Sequence, residues 1–114
     1  GKSASRGMAS VLLGCVGLVS SNDPHIMGRE GISLFELSAK GDVEEAKRVQ
    51  KRTLALDLAL SNIGTGPATM KAAMNMVGRP GGYPRPPLLE LNEEEKDKVR
   101  AILDTLGILK KSAA

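Results

Sequence analysis

The chain has 114 residues, enough for one small domain, and 16 Lys and Arg against 13 Asp and Glu leave a net charge of +3. Bases and acids alternate except at Lys110-Lys111, and Phe35 and Tyr83 are the only aromatics, so nucleic-acid binding is not expected. Cys15 stands alone, which excludes an intrachain disulfide and a cysteine-rich metal site and fits a reducing, cytoplasmic setting.

The chain opens on Gly1, which fits a piece cut from something longer, and residues 1–10 lack the order of a signal peptide. Residues 8–14, "MASVLLG", predict a short apolar helix stopped by Gly14. The apolar run near residues 11–19 is broken by Gly14 and Gly17 and is too short to cross a membrane. Residues 16–21, "VGLVSS", predict a buried strand, followed at once by the turn formers Asn22, Asp23 and Pro24. A lone strand leaves its N–H and C=O groups unmet, so its partners are missing from this sequence. Cys15, beside it, is expected to be buried packing.

From Ile26 the pattern turns helical, with Ile32, Leu34, Phe35 and Leu37 on one face and a stop at Gly41. Asp42 reads as an N-cap, with Glu45 completing a capping box. A long helix follows, with Val43, Ala46, Val49, Leu54, Leu56 and Leu60 facing inward. "SNIGTG" breaks it, and Pro67 opens a helix that stops at Gly78. Four prolines then fall between Pro80 and Pro87. Proline fixes φ, so residues 79–87 read as a stiff strap leading into "LLEL", which calls for burial. The other reading is a polyproline ligand for an aromatic groove. A last helix starts at Asn92, with Glu95 closing a box, turns Val99, Ile102, Leu103 and Leu106 inward, and ends at Gly107.

In this order the pieces "LLGCVGLVSS", "AKGDVEEAKRVQKRTLAL", "GTGPATMKAAMNMVGRPGGYPRPPLLELNEEE" and "RAILDTLGIL" resemble the C-terminal third of the dihydrodipicolinate synthase and N-acetylneuraminate lyase family. The resemblance implies an α/β parent, a (β/α)₈ TIM barrel, of which this chain is a mostly α-helical C-terminal segment with one short strand. Residues 1–41 would hold the last barrel strand and the helix after it; residues 42–114 would be the appended helical region with its strap. The family's lysine forms an imine with the keto group of pyruvate, and both that lysine and the proton-shuttling tyrosine would lie upstream of Gly1.

No catalytic residue is therefore assigned here, and no cofactor or metal is expected. The resemblance places Gly1 in a loop beside the substrate, and Val19 and Ser20 at the C-terminal end of the strand, where barrel active sites lie. Ser21 could add a hydrogen bond. Asn22 stands earlier than the family's asparagine, and Pro24 occupies its usual place. The partner implied is a small 2-keto acid in the full-length parent, which would often be a homo-oligomer; neither nucleic acid nor membrane is implied.

Other residues read as ordinary. His25 has no second ligand nearby and reads as a solvated loop side chain. Ser20, Asp23 and His25 lie too close in sequence for a catalytic triad. Lys71, flanked by Met70 and Ala72, is the lysine closest to a buried nucleophile, and a structural role is expected for it. "GTGPA" lacks the strand and lysine of a phosphate loop. The competing reading is a non-catalytic helical interaction module or truncated paralogue.

Overall fold

A computed structural model describes residues 3–20 and 22–109. Its elements are α1 (Ser3–Leu12), α2 (Asn22–Met27), α3 (Arg29–Lys40), α4 (Val43–Leu60), α5 (Gly66–Met76) and α6 (Glu93–Thr105). Contacts divide the chain into two units, Gly1–Asp57 and Leu58–Ala114.

In the first unit, α3 packs against α1 and α2. Leu34 of α3 and Ala46, Val49, Thr53 and Leu56 of α4 are sealed from solvent. The α4 stripe thus runs 46, 49, 53, 56, at helical spacing. It takes in Thr53, which the sequence pattern left out, while Val43 is 36% exposed. Thr53 is buried because it is satisfied: its hydroxyl donates to the carbonyl of Ala4 at 2.9 Å. Gln50, one turn before it, reaches between two backbone groups that an α-helix would pair with each other. Its Nε2 donates to Ala4 O at 2.6 Å and its Oε1 accepts from Met8 N at 2.9 Å. A half-buried ion pair, Arg52 with Glu30, ties α4 to α3.

Local signals set several helix ends. Gly41 closes α3 in the left-handed conformation (φ 87°), which a side chain would strain. The N–H of Asp42 then donates to Leu37 O at 3.0 Å. That bond explains why the capping box expected at Asp42 is only half formed. Asp42 Oδ1 meets the N–H of Glu45 at 3.4 Å, but the N–H that Glu45 would take is already committed, and its carboxylate turns to Arg48 at 3.0 Å.

In the second unit, α5 packs on α6, with Ala68, Ala73, Val99, Leu103, Leu91 and Ile108 buried. Pro67 stands in the first turn of α5, where its missing N–H costs nothing. At α6 the box is complete: Asn92 Oδ1 accepts from Glu95 N at 2.8 Å, and Glu95 Oε1 accepts from Asn92 N at 3.0 Å. Two side chains of α5 pin the strap: Lys71, whose ammonium donates to Gly81 O at 3.2 Å, and Asn75. Asn75 Oδ1 accepts from the N–H groups of Gly81 (2.9 Å) and Gly82 (3.2 Å), and its Nδ2 donates to Gly82 O at 3.2 Å. Replacing Asn75 with Ala should cost about 1–2 kcal/mol of stability, read as a lower urea midpoint, because two exposed bonds and one part-buried one are lost together. An unchanged midpoint would mean that the prolines and Lys71 hold the strap without Asn75.

Several expectations are corrected. Among the described residues no strand forms: residues 16–20 are irregular, with Val16 95% and Val19 81% exposed, and residue 21 lies outside the described residues. A strand exists only as hydrogen bonds to a neighbour, and no described segment supplies one. The mostly helical chain with one strand is thus a helical chain over the described residues. Asn22, Asp23 and Pro24 form the first turn of α2 rather than a loop, since the residues that favour turns also suit a helix start. His25 accordingly sits on a helix. The helix expected over residues 8–14 begins earlier, at Ser3, and ends at Leu12. Cys15 is exposed, not packed. Of the "LLEL" leucines, Leu91 is buried and Leu89 is 83% exposed.

Candidate functional site

The segment leaving α1 ends at Ser20, where α2 begins two residues on. Beside it opens a cleft of about 590 Å3, walled by Val16 and Val19 on one side and by Ile32 and Phe35 of α3 on the other. The lining is mostly apolar, with polar groups gathered at the α2 end, where Ser20 and Asp23 meet.

The Ser20 hydroxyl donates to Asp23 Oδ1. Asp23 is 1% exposed, held in the first turn of α2, where a carboxylate suits the positive end of the helix. With its proton committed to Asp23, Ser20 presents acceptor lone pairs to anything in the cleft. The neighbouring Asn22 donates through Nδ2 to Asp57 Oδ1 at 3.1 Å, which ties the start of α2 to α4.

Val19 and Ser20 both line the cleft. Gly1 and Ser21 lie outside the described residues. Asp23, which sequence reasoning took for a turn former, is the buried carboxylate of the site. Its signal was its position one residue into a helix start behind a serine. His25 is exposed on α2. Among the described residues the cleft has no lysine in its lining, and no cluster of His, Cys, Asp or Glu could hold a metal ion. Lys71 belongs to the second unit, where its ammonium donates to Gly81 O at 3.2 Å. No helix among the described residues is long and apolar enough to cross a membrane.

Comparison with known proteins bears on this arrangement. The sequence profile of the dihydrodipicolinate synthetase family matches residues 5–106. The chain is similar to the 4-hydroxy-tetrahydrodipicolinate synthase of Methanococcus vannielii, with 37% identity over 75% of this chain and 29% of the relative. It is also similar to that of Methanocaldococcus jannaschii, with 33% identity over 87% of this chain and 34% of the relative. A crystal structure of dihydrodipicolinate synthase superposes with a TM-score of 0.78 at 30% identity, covering 92% of this chain and 36% of that one. The chain thus spans about a third of the length of the relatives it matches.

Proposed function

The chain belongs to the dihydrodipicolinate synthetase family, and from that premise we propose that it forms the C-terminal third of a pyruvate-dependent lyase, with residues 16–21 serving as the last strand of a TIM barrel. The observation that carries this reading is the exposure of Val16 and Val19, apolar side chains on a segment without a backbone partner among the described residues. Apolar, β-branched residues left in water between two helices fit a strand that other strands complete.

In that parent, a lysine amine upstream of Gly1 attacks the keto carbon and water leaves; on cleavage the resulting imine takes up the electron pair of the C–C bond as an enamine, and in the bond-forming direction the enamine donates that pair to the aldehyde carbon. Gly1, Val19 and Ser20 border the bound 2-keto acid. Val19 supplies apolar wall, and Ser20, oriented by Asp23, accepts a hydrogen bond. The division is then by barrel membership: residues 1–41 to the barrel, residues 42–114 to the appended helices and strap.

Pyruvate and borohydride test this directly, because reduction converts the imine into a stable carboxyethyl-lysine detected by mass. The isolated chain should take no adduct, and the native polypeptide that carries this sequence should take one outside residues 1–114. An adduct on a lysine of this chain would overturn the reading. Absence of any adduct on the native polypeptide would favour a non-catalytic helical module instead.

A further inference from the structure

The second unit holds a concavity with a different lining. A cleft of about 300 Å3, at the small end of ligand pockets, lies among α5, α6 and the strap. Lys71 of α5 and Lys96 and Arg100 of α6 line it, against one carboxylate, Glu90. Lys96 and Arg100 stand one turn apart and share a face of α6, and the packing of α5 on α6 brings Lys71 to them.

These cations are poorly neutralised. Lys96 meets Glu93 at 3.3 Å and Arg100 meets Asp97 at 2.8 Å, but those carboxylates are 85% and 73% exposed. Such solvated pairs yield readily to a better-placed anion. Lys71 is half-buried, with its ammonium on the carbonyl of Gly81, and among the described residues no carboxylate pairs with it. A solvated helix face accounts for Lys98, 60% exposed, but not for Lys71. A partly desolvated ammonium facing a guanidinium fork across a cleft favours an anion between them.

The geometry points to an anion site in this cleft, taking a small, multiply charged oxyanion, a dicarboxylate or a phosphate, on Lys71, Lys96 and Arg100. The site shares no residue with the cleft at Ser20 and is independent of the imine reading.

Its own tyrosine reports on it. Tyr83 lines the cleft and is the only tyrosine of a chain without tryptophan. The full chain, kept dilute enough to scatter light as a single species, is titrated with inorganic phosphate and with succinate, against sodium chloride at matched ionic strength. A saturable change in Tyr83 emission is expected with at least one oxyanion and not with chloride. The oxyanion that saturates at lower concentration identifies phosphate or carboxylate as the preferred group.

Arg100→Gln, at a half-exposed position, should weaken binding about tenfold or more without changing helix content, since a charge-assisted hydrogen bond is lost. Arg48→Gln, on α4, should leave binding unchanged. Linear quenching by both oxyanions, which is collisional, would overturn the site. So would a saturable curve that neither Arg100→Gln nor Lys96→Gln alters.

Discussion

Replacing Gly31 with Ala is expected to destabilise the first unit by about 2 kcal/mol, although the substitution sits inside a helix and favours it. Two effects oppose each other. Removing glycine from a helix interior contributes about 1 kcal/mol of stability. Against this, a Cβ at residue 31 would lie 2.5 Å from the carbonyl oxygen of Asp23, 2.6 Å from its carbon and 2.9 Å from the nitrogen of Pro24. All three are backbone atoms, so no side chain can swing aside, and α2 must move off α3. Overpacking of this kind costs roughly 3 kcal/mol at its upper range, which outweighs the propensity gain. Urea unfolding followed by circular dichroism decides the sign, and a midpoint equal to or above that of the parent chain would show that α2 yields without cost. Ala39→Gly, at an exposed position of the same helix, isolates the propensity effect and should cost about 1 kcal/mol.

In the second unit the largest effect is expected at Leu103. It is fully buried on α6, the helix that packs on α5, and truncation to Ala removes its methyl groups and leaves a cavity. The cost should be about 2–5 kcal/mol, depending on how far the neighbours collapse. A small domain has little stability to spare, so a loss of that size should unfold a measurable fraction at room temperature. Hydrogen exchange should show α5 and α6 losing protection together. Leu106→Ala, half-buried past the end of α6, should cost clearly less. Equal costs at the two positions would place the apolar seam of α6 elsewhere.

What the sequence revealed about the fold followed the range of the forces involved. The box at Asn92 and Glu95, the stop at Gly41 and the start at Pro67 were all legible, because each is settled within four residues. Family membership was legible from the ordered run of such signals. The half-formed cap at Asp42 was not, because it depends on a competing bond to Leu37 across the preceding helix end. Nor was Thr53 as a core residue, since its burial rests on the carbonyl of Ala4, forty-nine residues away. The strand at residues 16–21 was read from composition, yet strand structure resides in a neighbour's hydrogen bonds. At the candidate cleft, Asp23 was masked because asparagine, aspartate and proline write turns and helix starts alike.

The strap and the segment after α1 are both exposed, but they differ in how a peptidase would meet them. Proteolytic sites bind substrate backbone in extended form through its N–H groups; four prolines withhold those groups, and the Asn75 clasp keeps two of the remaining ones occupied. Residues 16–20 have no comparable defence. Their survival would then rest on being covered, so that turnover of the chain would be governed by how often that segment stands open to solvent.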